Sequence, residues 1–212
     1  MGLTTGVPTI VAVGAGSRPA QVARLGPLLE KVVVAVAETL EATVLDEGQP
    51  GGLAAALAGA RRHKHAGFPM VGVAPEGGGA AELEPAHTHF VLVPDSGAGV
   101  TARWVSAVAT ALASGNRSIA LAVAGGDAAW ESVAAHVRAD RLVMAVARTG
   151  GVADQLAAAL AGRPADRRAL ALARSGQIFA VDPAAGAASV AATLRNALSR
   201  PDALNAGPAP HR

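Results

Sequence analysis

The run Ile119-Ala120-Leu121-Ala122-Val123-Ala124-Gly125-Gly126-Asp127, with Leu142-Val143-Met144-Ala145-Val146 and Thr149-Gly150-Gly151 after it, decides the fold class. Two short aliphatic runs each end near a pair of glycines, and the Ala-rich segment from Ala128 to Ala139 lies between them. Both runs are apolar on both side-chain parities, which suits strands covered on two faces rather than one. A helical segment joining two such strands leaves them parallel, because a tight hairpin cannot make that connection.

The same rhythm extends in both directions. Candidate strands are Thr9 to Val13, Ala42 to Asp46, Met70 to Ala74, His89 to Val93, Ile119 to Val123, Leu142 to Val146 and Gln177 to Val181. Helical segments are expected from Ser17 toward Leu40, with a division at Gly26-Pro27, and over Gly52–Arg62, Thr101–Ser114, Ala128–Ala139, Val152–Leu160 and Ala184–Ser199. In the Thr101 segment, Trp104, Val105, Val108, Ala111 and Leu112 recur at helical spacing and predict one buried stripe that includes the indole. The expected architecture is a three-layer α/β sandwich with a mostly parallel sheet of about seven strands. It forms one domain over residues 7–199, and residues 200–212 read as a flexible tail.

Composition narrows the function. The chain has 212 residues, 51% of them hydrophobic, 16% charged and 2% aromatic, as one compact domain requires. Its formal charge of +2 and its few aromatic rings, with no Tyr, supply neither the basic stripe nor the stacking platform of a nucleic-acid binder. Absence of Cys excludes disulfides, thiol nucleophiles and thiolate metal sites. The mean hydropathy of +0.35 comes from alanine, and no stretch has the bulky apolar character of a membrane span. No basic leader precedes the first strand, so the cytoplasm is the expected compartment.

Three glycine corners follow strands. In Asp46-Glu47-Gly48-Gln49-Pro50-Gly51-Gly52, the glycines permit close backbone approach, and free amides at the next helix start can receive phosphate oxygens. Such a corner also serves simply to turn the chain. Asp46 and Glu47 repel a bare phosphate, so they suit acceptance of a ribose or base hydrogen bond, or support of the loop. Gly125-Gly126-Asp127 forms a second corner with Asp127 as a helix cap. Thr149-Gly150-Gly151 forms a third, with Thr149 as a phosphate donor and Asp154 supporting the first helical turn. Neither the P-loop pattern nor the usual dinucleotide fingerprint is present. Parallel strands bring such corners to one sheet edge.

The segment Glu84-Pro85-Ala86-His87-Thr88-His89-Phe90 offers two imidazoles, one to order the loop and one to approach the ligand. No third ligand has diagnostic spacing, so no metal is expected. Phe90 reads as core. Ser17, Ser96 and Ser175 lie near turns but in no nucleophile-elbow pattern. Arg61-Arg62-His63-Lys64-His65 reads as a solvated helix end.

Taken in order, Asp46-x-Gly48, Val71-Gly72-Val73-Ala74-Pro75, Leu83 through Phe90, Gly125-Gly126 and Thr149-Gly150-Gly151-Val152-Ala153-Asp154 resemble the prokaryotic LSDAT family of the SLOG superfamily. That superfamily also holds the N-terminal ligand-binding region of TRPM channels and the LOG, or lysine-decarboxylase-like, phosphoribohydrolases. The resemblance runs from about Val11 to about Leu198 and implies a Rossmann-like fold that senses or processes nucleotide-derived ligands related to NAD or ADP-ribose. Asp46 and Gly48 match the family's Asp-Gly-Gly-Thr corner, with Glu47 at its first Gly and Gln49 at its Thr. Ala124 stands at the Asn of its Asn-Gly-Gly corner, and Gly151 at an Arg that could contact phosphate. The phosphoribohydrolase motif Pro-Gly-Gly-x-Gly-Thr-x-x-Glu is absent.

The reading that follows is binding or sensing of a nucleotide-derived small molecule at the carboxyl edge of the sheet. Its expected ligand-binding residues are Asp46, Gly48, Gly51, His87, His89, Gly125, Gly126, Thr149, Gly150 and Asp154. No catalytic residue or cofactor is specified. A hydrolase of the same ligand class, and a ligand-free assembly domain forming a homodimer through its Ala-rich helices, are the alternatives.

Overall fold

The computed structural model describes residues 2–14, 24–77, 83–94 and 98–199. Its strands are β1 (Thr9–Val13), β2 (Thr43–Asp46), β3 (Met70–Pro75), β4 (His89–Val93), β5 (Ser118–Val123), β6 (Leu142–Val146) and β7 (Ile178–Val181). They form one sheet in the order β4-β3-β2-β1-β5-β6-β7, parallel throughout. The chain builds outward from β1 to β4, returns to the other side of β1, and builds outward again.

The helical segment α1 runs through Gly26–Leu28, a π-helical stretch Leu29–Val34, and Ala35–Thr39. Then come α2 (Gly52–His63), α3 (Ala98–Ala113), α4 (Ala129–Arg138), α5 (Gly151–Leu160), α6 (Arg167–Ala173) and α7 (Ala187–Ser199). Side-chain alternation sorts the strands between two cores. Ile10, Ala12, Ile119 and Leu121 pack with α1, α2 and α7, whereas Val11, Val13, Ala120 and Ala122 pack with α3, α4, α5 and α6. The Rossmann-like three-layer arrangement is therefore present, with small side chains allowing close helix-on-sheet contact.

Three local features depart from expectation. Trp104 is 38% exposed, because the buried stripe of α3 is Ala102, Val105, Ala109 and Leu112 and the indole lies one residue off it; Ala111 is exposed as well. Helix α6 was not anticipated: it buries only Ala169 and begins with two arginines, and its signal is Asp166, whose side chain accepts from the Arg168 amide. Asp127 does not cap α4 through its side chain, which instead accepts from Arg168 Nη1 at 2.7 Å. At the expected division, Gly26-Pro27 opens a helix, since Pro needs no amide partner in a first turn. Ser17, Arg18, Pro19, Gly78, Gly79, Ser96 and the tail lie outside the described residues.

A buried polar cluster sits at the amino ends of β5 and β6. Arg141, 4% exposed, donates to the Ser118, Ser106 and Thr110 hydroxyls, to the Ser106 carbonyl, and to His136 Nδ1. Burial lowers the guanidinium to about 10, and burial together with Arg141 pushes the wholly buried His136 down to about 3. This cluster joins α3, α4 and the sheet at the edge away from the glycine corners.

Candidate functional site

At the carboxyl end of β2, Asp46, Gly72 and Phe90 occupy one level across three neighbouring strands. Gly72 makes this level possible. A Cβ there would lie 2.7 Å from both Gly48 Cα and Phe90 Cε1, so only glycine lets the first corner fold against the ring. Gly48 itself has a φ of +67° and donates its amide to Asp46 Oδ1 at 2.7 Å, closing the turn on the carboxylate. Phe90 is thus half-buried cover for two glycine backbones rather than ordinary core.

His87 locks the corner from the other side. Its side chain is fully buried, with Nε2 2.8 Å from Asp46 Oδ1, Nδ1 3.0 Å from the Glu84 carbonyl, and the ring against Phe90 at 5.2 Å. A carbonyl oxygen and an ionised carboxylate both only accept, so a doubly protonated ring satisfies both contacts. Burial disfavours that charge, but Asp46 and the Glu84 carbonyl outweigh it and hold His87 above the ordinary imidazole value. The Glu84 amide donates to Gly48 O at 2.8 Å, tying the loop to the same corner.

Helix α2 begins where this corner ends. Its N-cap is Gly51, with a φ of +87° and no side-chain cap, and the amides of Gly52, Leu53 and Ala54 have no acceptor among the described residues. These residues, with Asp46, Glu47, Gly48, Ala12 and Gly14, line a cavity of about 250 Å³ beside the point where strand order reverses. Asp46 is 4% exposed, and its Oδ2 has no hydrogen-bond partner among the described residues. One cavity therefore combines open backbone donors with an unused buried acceptor.

The second and third corners meet each other instead. Val152 and Ala153 at the start of α5 donate to the carbonyls of Gly125 and Ala124 at 3.0 Å each, so that helix start is closed by protein. A Cβ on Gly151 would collide with the Gly125 carbonyl oxygen, so this corner requires glycine. The Thr149 hydroxyl donates to Val146 O and accepts from the Ala124 amide, while Asp154 accepts from the Thr149 amide. Gly126 and Gly150 belong to this interlocked pair, and none of these residues lines the cavity.

Glu47 links the two groups of corners. Its Oε1 accepts from the Ser132 hydroxyl of α4 at 2.7 Å, although α2 and α4 cover opposite faces of the sheet. The carboxyl thus crosses the sheet edge, and burial, strengthened by Asp46, raises it above the ordinary carboxylate value despite the Ser132 bond. His89 contacts the Thr88 hydroxyl at 2.8 Å and does not line the cavity. Arg148 is bound to Asp182 at 2.8 Å. Among the described residues, no three His, Asp or Glu side chains gather to hold a metal ion, and no helix is long and apolar enough to cross a membrane.

The sequence matches the family described as "SLOG in TRPM, prokaryote" over residues 7–192. The chain belongs to that family. No curated protein matches this sequence. Among solved structures, this SLOG-family chain is similar to the molybdenum cofactor carrier protein from Chlamydomonas reinhardtii, at 14% identity and TM-score 0.59, with 92% of this chain and 99% of that one covered. It is also similar to the molybdenum cofactor binding protein from the phototrophic bacterium Rippkaea orientalis, at 11% identity and TM-score 0.56 over 91% and 99% of the two chains. A structural-genomics protein, TM1055, gives 19% identity and TM-score 0.55 over 82% and 91%. At such identities the likeness is one of fold.

Sequence reasoning anticipated the free amides at the start of α2 but gave no site role to Gly14, Gly72 or Ser132. Gly72 had a readable signal, a glycine interrupting an aliphatic strand. Ser132 had none, because its contact spans 85 positions along the chain.

Proposed function

We propose that this SLOG-family protein binds a nucleotide-derived small molecule, in the class of AMP, NAD or ADP-ribose, as a ligand-binding or sensing domain. A phosphate of the ligand sits on the amides of Gly52, Leu53 and Ala54, and a ligand hydroxyl or amine donates to Asp46 Oδ2. The observation carrying this reading is the coincidence, in one cavity, of an uncapped helix start and an unpartnered buried carboxylate oxygen. Family membership supports the ligand class, and the names of two fold neighbours, a carrier and a binding protein for molybdenum cofactor, support a binding role.

His87 acts in this reading through Asp46, holding its carboxylate in place. Its ring has both nitrogens engaged, so the hydrolase alternative gains no support from it. Calorimetric titration with AMP, NAD and ADP-ribose tests the proposal. Binding is expected, with affinity reduced about tenfold or more in Asp46→Asn, the scale of one lost charge-assisted hydrogen bond. No heat at millimolar ligand, with a cooperative melting transition proving the protein folded, rejects the class.

A further inference from the structure

Helices α2 and α5 start at the glycine caps Gly51 and Gly150 near the carboxyl edge of the sheet, and of the two only the first leaves its amides open among the described residues. The second spends its amides on the Gly125 and Ala124 carbonyls. Of these two starts, only that of α2 offers a phosphate platform. No Lys or Arg lies among the described residues lining the cavity, whereas Asp46 and Glu47 both do.

Glu47 is placed to act on the ligand rather than on the loop alone. Its side chain reaches from the end of β2 to Ser132 on α4, so the carboxyl lies on the α4 side of the cavity that holds the α2 amides. A second phosphate extending from the first toward α4 would meet this carboxyl, with no second open helix start beside it among the described lining residues, in a partly buried setting where like charges repel. A ligand with one phosphate and a neutral, donor-bearing remainder meets no such conflict.

Resting on the reading above, we infer that Glu47 is a specificity-determining residue, which makes this pocket prefer nucleoside monophosphates over pyrophosphate-bridged ligands such as ADP-ribose and NAD. The titratable groups facing it are Asp46 and, through Asp46, His87; α2 presents backbone amides and α4 the Ser132 hydroxyl. Its proton is retained more readily than on a free carboxyl, so the discrimination relaxes as the pH falls.

The test is calorimetry of the full chain with AMP, GMP, ADP-ribose and NAD, on the natural protein, Glu47→Gln and Ser132→Ala. The natural protein should bind a monophosphate at least about tenfold more tightly than ADP-ribose, the scale of one unit-charge repulsion at partial burial. Glu47→Gln, which keeps the shape and the Ser132 contact, should tighten ADP-ribose about tenfold and leave AMP within about threefold. Ser132→Ala keeps the charge and should keep the order of preference. Equal binding of the two classes by the natural protein, or an unchanged preference in Glu47→Gln, overturns the role of Glu47 while the pocket stands. Absence of binding by every ligand to both the natural protein and Glu47→Gln overturns the pocket itself.

Discussion

Asp46 shows how much one side chain in this fold has to satisfy. It accepts from Gly48 and from His87 on one oxygen and keeps the other unused, so the buried carboxylate is both a turn closure and an open acceptor. The His87 charge stabilises this corner, and its sign can be worked out. A folded value above the ordinary 6.5 means the folded state holds the proton more tightly, so the contribution is whole below about pH 6.5 and fades as pH rises through the folded value. Urea denaturation of the natural protein and His87→Gln should show a stability difference that shrinks from about pH 6 to pH 9. A constant difference would remove the imidazolium assignment. Gly151 carries a second prediction at this scale. Its φ of +57° and the Gly125 carbonyl above it leave no room for a Cβ, so Gly151→Ala should cost about 3 kcal/mol in denaturant unfolding.

Helices α2 and α5 start on glycines with nearly the same backbone angles, φ +87° at Gly51 and +90° at Gly150, and diverge in what their first amides do. Turn chemistry is local and readable, but which amides remain unpaired depends on whether another corner reaches them. For α5 it does, because β5 and β6 are neighbours and Gly125 lies beside Gly151. Inorganic phosphate added to labelled protein should therefore shift the amide resonances of Gly52, Leu53 and Ala54 and spare those of Val152 and Ala153. Shifts confined to α5 would invert the assignment of the two helix starts. The Trp104 outcome belongs to the same scale. Apolar spacing placed the stripe of α3 within one residue, and one residue turns a side chain by about a quarter of a circumference, enough to expose an indole.

Across the molecule, two buried histidines shape stability in opposite pH directions. His136 is held neutral down to about 3, so on the acid side the unfolded chain takes up a proton that the folded state refuses. Stability should fall as pH drops from about 6.5 toward 3, while the His87 contribution is lost on the alkaline side. Chemical denaturation across this range should give a maximum near neutrality, and the His136 ring resonance should not move between about pH 8 and pH 4. A ring that titrates in that window would show the Arg141 cluster to be open to water.

The strand set and the parallel pairing follow from short runs apolar on both parities joined by helical segments, since that pattern has few other ways to bury itself. The first corner and the His87 segment were legible too, because glycine and histidine are chemically distinctive and locally placed. Tertiary structure alone brought Asp46, Gly72 and Phe90 to one level, set Glu47 against Ser132 across the sheet edge, and turned the second and third corners toward each other. These contacts depend on strand order and register, which arise from packing between segments far apart in the chain, and no local pattern of residues encodes that packing.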